Sequence, residues 1–269
     1  MNPDDITVVL LTYNEAANIE RTLDSLTWAR QIVVVDSFST DDTCDRAKRY
    51  PTVRVIQRAF DNFANQCNYG LTHAETEWVL SLDSDYGIPA GFIEELRHLE
   101  AGSTAAFQAR FRYCVFGQPL RASLYPPRAV LFRKALCFYV EDGHTQLLKV
   151  EGIPRFLETS LDHDDRKPIE RWFSEQIRYS ALEARKLAGT PWRQLSWADR
   201  VRRTIFLGPV LVFFYTLLWK GLIFDGRRGW HYVLQRTLAE GLLSIRLLEL
   251  KLTRTSPGKP GPSDRGLRD

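Results

Sequence analysis

Four apolar runs recur through the first third of the chain at intervals too regular to be incidental. They are residues 6–11 (Ile-Thr-Val-Val-Leu-Leu), residues 32–35 (Ile-Val-Val-Val, ending at Asp36), residues 53–56 (Val-Arg-Val-Ile) and residues 77–82 (Glu-Trp-Val-Leu-Ser-Leu). Each is too short for a helix, and the β-branched, unalternating ones read as strands covered on both faces. The stretches between them carry helical spacing. Asn14 is placed to cap a helix beginning at Glu15, Ser39 or Thr40 with Asp41 and Asp42 can cap a second, and a third is expected over residues 62–74. Strands alternating with helices imply a parallel, doubly wound α/β sheet.

Such a sheet binds its ligands at the carboxyl ends of its strands. The residues found there are polar: Thr12-Tyr13-Asn14-Glu15, then Asp36, then Asp83 and Asp85. Side chains two apart on a strand leave on one face, so Asp83 and Asp85 should point together. Two carboxylates that close call for a cation between them. Oxygen ligands suit Mg²⁺ or Mn²⁺, ions that also neutralise a diphosphate. The triplet recurs as Asp162-His163-Asp164, without a preceding buried strand. That stretch reads either as a helix-capping turn ahead of Pro168, or as a place where His163 folds back to touch a metal or diphosphate.

With 269 residues there is room for one large α/β unit and an appendage, and a net charge of +3 is too small to point to nucleic acid. The four cysteines are dispersed without C-x-x-C spacing, so neither a zinc site nor a disulfide framework is expected, and a reducing cytoplasm fits best. Acidic Asp4 and Asp5 lead directly into the first strand, so no secretory signal is expected. Residues 105–115 and 128–138 look like longer strands, and Pro168 opens a helix from Ile169 to about Leu187 that stops at Gly189.

Residues 205–224 hold a single charge, Lys220. The length suits a membrane span, but Gly208-Pro209 interrupts the run, and the segment from Trp230 to about Leu252 is amphipathic. With Asp225–Gly229 as a short link, the pattern predicts a helical hairpin that lies in an interface, spans a bilayer or packs as core. Arg200, Arg202 and Arg203 on one side, and Arg227 and Arg228 on the other, favour anionic headgroups. The expected division is a catalytic unit over residues 1–195, the hairpin over 196–252 and a disordered tail over 253–269.

Taken together, TYNE, VVVDSFSTDDT, Gln66-x-Asn68-x-Gly70, LSLDSD and the late DGRRGW turn resemble family 2 glycosyltransferases of the GT-A fold. The resemblance runs over roughly the first 250 residues and is strongest to the lipopolysaccharide-core and cell-envelope branch. It implies a Rossmann-like, mostly parallel sheet with flanking helices, followed by the apolar hairpin. It also implies roles. Thr12, Asn14 and Glu15 would line the nucleotide pocket, Asp36 would contact the base and Asn68 would lie beside the nucleotide. Asp83 would face the ribose or sugar, and Asp85 would bind the metal, with His163 as a further ligand. Relatives often carry glutamate where this chain has Tyr86, which loosens any inference about sugar choice.

Inverting transfer needs a base for the acceptor hydroxyl. Asp142 of the Glu141-Asp142 pair is the candidate, and His144 competes with it, although Thr145 stands where relatives of the envelope branch often have glutamate. The expected activity is inverting, metal-dependent transfer from a nucleotide-diphosphate sugar, with UDP as the expected nucleotide, to a lipid-linked envelope glycan at the cytoplasmic face of the inner membrane. Transfer to a polyprenyl phosphate, or a non-catalytic nucleotide-binding membrane scaffold, are the alternatives. A nucleotidyltransferase is disfavoured, because no Gly-rich phosphate loop with a following lysine occurs near the N-terminus.

Overall fold

The computed structural model describes residues 1–142 and 145–255. The predicted strands are β1 (Ile6–Thr12), β2 (Gln31–Asp36), β3 (Val53–Gln57) and β4 (Trp78–Asp83). Between them lie α1 (Ile19–Asp24), α2 (Thr43–Ala47) and α3 (Phe63–Thr72). A short strand β5 (Tyr86–Gly87) and α4 (Ala90–His98) follow. Next come β6 (Ala106–Ala109), β7 (Phe111–Val115), β8 (Gln118–Pro119), β9 (Arg128–Arg133), β10 (Cys137–Asp142), β11 (Thr145–Val150), β12 (Arg155–Phe156) and β13 (Leu161–His163). The chain ends in α5 (Ile169–Gly189), α6 (Trp197–Arg203), α7 (Leu207–Phe214) and α8 (Gly226–Thr255).

The main sheet has seven strands in the order β12-β6-β9-β4-β1-β2-β3. Strands β4, β1, β2 and β3 run parallel, while β9 is antiparallel to both β4 and β6. Successive residues of the central strands feed opposite cores. Ile6, Val8 and Leu10 join Ile32, Val34 and Leu80 on one face. Val9 joins Val33, Val35 and Val79 on the other. This accounts for the lack of alternation in the sequence, since both faces are covered. Each such side chain contributes roughly 1.5–3 kcal/mol by leaving water. On the second face α3 presses close to the sheet at Gly70, where a Cβ would stand 2.6 Å from Val9 Cγ1.

Four local expectations are corrected. First, α1 begins at Ile19, so Asn14 does not cap it. Asn14 instead adopts φ 53°, and its side-chain oxygen accepts from the Thr40 backbone N–H at 2.7 Å, an arrangement Asn tolerates better than most residues. Second, residues 105–115 divide into β6, which joins the main sheet, and β7, which joins a smaller one. Third, Asp162-His163-Asp164 is not a helix-capping turn. Its first two residues lie in β13, antiparallel to β5, with His163 opposite Tyr86. Fourth, the link Asp225–Gly229 is already helical from Gly226. Gly229 is needed there because a Cβ would meet the Leu222 carbonyl oxygen at 1.8 Å.

Beyond the sheet, α5, α6, α7 and α8 form a helical arm. The segments Leu207–Trp219 and Leu222–Thr253 meet at a 69° bend, and among the described residues no single helix is long and apolar enough to cross a membrane. The inner side of α8 packs Tyr232 and Val233 against Leu217 and Leu222, and Leu243 and Leu247 against Ala184 and Leu187 of α5. The outer side leaves large side chains in solvent: Phe206 is 73% exposed, Trp219 82% and Phe224 75%. Of the proposed tail, residues 256–269 lie outside the described residues. All four cysteines are free.

Candidate functional site

A cleft of about 600 Å³ opens at the carboxyl ends of β1 and β4 and continues between α5 and α8. Thr12, Glu15, Asp83, Asp85 and His163 all line it. The turn that presents the aspartates is tied down at both sides of Ser84: its hydroxyl donates to the Leu11 carbonyl at 2.6 Å, and its own carbonyl accepts from the Thr22 hydroxyl at 2.7 Å.

The two aspartates occupy unlike environments. Asp83 is part-exposed, with Arg128 Nη1 3.8 Å from its carboxylate. Asp85 is buried, and His163 Nε2 lies 3.2 Å from its Oδ2. Burial alone would raise the Asp85 carboxyl, but the charge and hydrogen bond of His163, with Lys167 nearby, hold it below the usual carboxylate range. The same pairing raises His163 above the ordinary imidazole value despite its burial. Tyr86, Tyr113 and Tyr125 surround the imidazole, with ring centroids at 5.4, 4.9 and 4.5 Å. The Tyr86 and Tyr125 hydroxyls bond each other, which fixes two walls of that box.

Glu15 is the third carboxylate of the cleft. Its Oε1 accepts from Lys167 Nζ at 2.9 Å and its Oε2 from Asn18 Nδ2 at 2.9 Å. Burial, opposed by Lys167 and assisted by Asp85, pushes its carboxyl up to about 7. Lys167 is itself raised by its carboxylate neighbours, Glu15 foremost, against the effect of burial. Asp165 completes the group, 3.4 Å from Lys167 Nζ.

Fit to a divalent cation can be judged from Asp85. Its Oδ1 is buried without a hydrogen-bond partner, an arrangement that costs stability unless a ligand completes it. Among the described residues, however, no group of three His, Cys, Asp or Glu side chains could form a cage alone. The donor set therefore suits a hard cation that takes its other ligands from phosphate oxygens and water, as Mg²⁺ commonly does. His163 Nδ1 is likewise buried and unpartnered, while Nε2 faces Asp85.

Other candidate residues stand elsewhere. Asp36 is fully buried beneath the cleft, accepting from Thr12 at 3.1 Å, Gln57 at 3.0 Å and the Ser39 backbone at 2.9 Å. Burial opposes its ionisation, but the Ser39 and Gln57 hydrogen bonds prevail and lower it. Asn68 faces β10, exchanging two 2.9 Å hydrogen bonds with the Tyr139 backbone, and its helix neighbour Gln66 lines the cleft instead. Asp142 forms a 2.6 Å ion pair with Lys186 of α5, apart from the lining residues. His144 lies outside the described residues.

The sequence reading passed over Lys167, Arg128, Tyr125 and Arg171, all of which line the cleft. The dense charge run Asp162–Lys167 ahead of Pro168 was the available signal for the first. Arg171, which donates to the Tyr13 and Asn14 carbonyls, had none.

The family model described as "Glycosyl transferase family 2" matches residues 7–145. An uncharacterized glycosyltransferase of Rickettsia bellii is 30% identical over 97 residues, covering 36% of this chain and 33% of that protein. The SPbeta prophage-derived glycosyltransferase SunS of Bacillus subtilis is 35% identical over 83 residues, covering 30% of this chain and 20% of its own. The match thus spans a third or less of the length of these curated relatives. Among solved structures, the mannosyltransferase PcManGT of Pyrobaculum calidifontis, in complex with GDP-Man and Mn²⁺, aligns with a TM-score of 0.51 at 17% identity. That alignment covers 95% of this chain and 90% of that one, and the likeness is one of fold. The mostly parallel sheet with flanking helices and a C-terminal helical region is the arrangement expected of a GT-A protein.

Proposed function

The chain belongs to glycosyl transferase family 2, and from that premise we propose that it moves a sugar from a nucleotide-diphosphate donor to a lipid-linked envelope glycan, with inversion at the anomeric carbon. The observation that carries the donor half is the convergence of Thr12, Glu15, Asp83 and Asp85 on one cleft, with Asp85 Oδ1 left without a partner. UDP is the proposed nucleotide. Thr12 and Glu15, with Asn14 fixing the loop between β1 and α1, would line the nucleoside side, supported from below by Asp36 and from α3 by Asn68. Asp83 would face the ribose or sugar.

Asp85 would hold Mg²⁺ or Mn²⁺ through Oδ1, with His163 restraining the other carboxylate oxygen or joining as a ligand. The ion, when bound, would supply Lewis-acid neutralisation of the departing diphosphate. The protein's own task is to orient the donor and receive a proton. In our reading the acceptor hydroxyl attacks the anomeric carbon on the face opposite the diphosphate, and its proton passes to Asp142. Asp142 stands outside the cleft lining, 2.6 Å from Lys186, so it would act on the acceptor only by turning from that ion pair. His144 is the competing base.

The lipid-linked acceptor is supported by the helical arm. Phe206, Trp219 and Phe224 lie exposed, with Arg227 and Arg228 following Phe224 in the chain and Arg202 and Arg203 preceding Phe206, a combination suited to the headgroup region of an anionic bilayer. Peripheral or half-inserted attachment at the cytoplasmic face of the inner membrane follows from this reading.

The test is transfer of label from UDP-sugars to membrane extracts, comparing the protein with Asp85→Ala. Loss of roughly 10²–10³-fold in rate is expected, with the melting temperature retained. Undiminished transfer by Asp85→Ala would overturn the site assignment. A labelled product that enters organic solvent and is released by mild acid would mark a polyprenyl phosphate as the acceptor instead. A cell phenotype that survives Asp85→Ala unchanged would favour a non-catalytic scaffold.

A further inference from the structure

The cleft extends well beyond the donor carboxylates, and its far wall is formed by α8, with Arg236, Ala239, Glu240 and Leu243 facing into it. The cations along this cleft are not alike. Lys167 pairs with Glu15, Arg128 approaches Asp83, Arg171 pairs with Glu175, Arg202 pairs with Glu183 and Glu240, and Arg178 lies over the Tyr179 ring at 5.3 Å. Arg236 has no carboxylate partner among the described residues, and its Nε is buried with no acceptor.

This isolation is built in. On a helix the natural partner of Arg236 is Glu240, four residues on. Both Glu240 oxygens are instead occupied by Arg202 Nε, at 3.1 and 3.0 Å. Glu240 is itself buried, so the arrangement is fixed by packing and not by a loose surface rotamer. Around Arg236 stand two phenols, Tyr113 and Tyr232, whose rings lie 4.8 Å apart. Phenol hydroxyls are neutral at physiological pH and can donate. Tyr232 accepts from the Leu124 backbone N–H at 2.7 Å, which leaves its own proton to donate. The Tyr113 ring in turn touches His163, so this pocket adjoins Asp85 through one side chain on each side.

A guanidinium whose buried Nε is unmet, beside the Tyr113 hydroxyl that shares the cleft lining, is a receptor for an oxyanion. We infer that Arg236 is the anion-recognition point of the acceptor half of the cleft, and that the acceptor carries a phosphate-type oxyanion there. The inference rests on the donor-site reading given above, since it takes the β1–β4 end of the cleft for the nucleotide. The same oxyanion chemistry could come from the donor diphosphate or from the acceptor, so the experiment separates the two.

Calorimetry would follow inorganic phosphate titrated into the full chain saturated with UDP, at ionic strength held constant with chloride, and in parallel UDP titrated alone. Wild type is expected to bind phosphate with UDP in place. Arg236→Gln should weaken phosphate at least tenfold while UDP affinity stays within twofold. Arg236→Lys, which keeps the charge but loses the planar fork, should fall between them. The inference is overturned if wild type ignores phosphate, if Arg236→Gln binds it as wild type does, or if UDP weakens by the same factor, which would place Arg236 on the donor. If Arg236→Gln does not fold, Arg236→Lys decides, and phosphate affinity equal to wild type overturns the inference. Failure of UDP to bind wild type would count against the donor reading alone, because the phosphate comparison between variants can then be made without nucleotide.

Discussion

The sheet edge and the helical arm treat their side chains in opposite ways. At the carboxyl ends of β1 and β4 the apolar residues are sealed in two cores, and the polar ones are bound to one another: Thr12 to Asp36, Ser84 to Leu11, Glu15 to Asn18 and Lys167. On the arm the inner face is equally well packed, yet Phe206, Trp219 and Phe224 project into solvent. The first region is complete except at specific polar atoms, such as Asp85 Oδ1, and so is suited to a small polar ligand. The second is incomplete over an apolar area, and so is suited to a surface.

The contrast can be broken most forcefully on the arm. Replacing Phe206, Trp219 and Phe224 together by Ser should lower partitioning onto phosphatidylglycerol vesicles by roughly 10²-fold or more, while the melting temperature barely moves. Equal vesicle binding by the two proteins in a flotation assay would refute the membrane reading. Removing the arm outright would be a poor test. Leu243 and Leu247 of α8 share a core with Ala184 and Leu187 of α5, and Arg202 joins Glu183 to Glu240.

A smaller effect is expected at Glu15, on the sheet edge. Burial lifts its carboxyl from an ordinary 4.5 to about 7, so the unfolded chain releases the proton first as pH rises. The stability Glu15 contributes is therefore full below about 4.5 and is lost as pH approaches 7. At ~1.4 kcal/mol for each pH unit, the loss is at most about 3.5 kcal/mol. Glu15→Gln should flatten that slope in urea melts taken across this window, whatever it does to absolute stability. An unchanged slope would show that Glu15 titrates normally.

Smaller again is Gly70→Ala. The added methyl would stand 2.6 Å from Val9 Cγ1 and 3.0 Å from Val35 Cγ2, and should cost about 1–3 kcal/mol by denaturant unfolding. No measurable cost would mean that α3 can lift off the sheet, and the contrast with the tolerant outer face of the arm would narrow.

Legibility in the sequence followed the same division. Strands covered on both faces announce themselves as unbroken Val, Ile and Leu runs, so β1, β2 and β4 and the polar residues at their ends could be read directly. The helix start at Asn14 was misread because an Asx residue looks alike whether it caps a helix or a loop; here it serves the loop around Thr40. The strand nature of residues 161–163 was hidden, since three residues carry no period, and their pairing with β5 is a long-range event. That pairing is what brings His163 to Asp85. Arg236 was invisible for a related reason: its spacing to Glu240 suggests an ordinary helical ion pair, and only the packing of α6 shows that Arg202 has taken the partner.

The central claim is that the cleft beside Asp85 binds a nucleotide-diphosphate sugar together with a divalent cation. It is met most directly by thermal shifts of the full chain with UDP-, GDP-, dTDP- and CMP-sugars, each with and without Mn²⁺, beside Asp85→Ala. Stabilisation grows with affinity for the folded state, so at a hundredfold excess over Kd a true ligand adds about 2.7 kcal/mol. The expected result is a shift by one nucleotide class, UDP foremost, that needs Mn²⁺ and disappears in Asp85→Ala. No shift by any nucleotide with metal present, or an equal shift in Asp85→Ala, would contradict the claim.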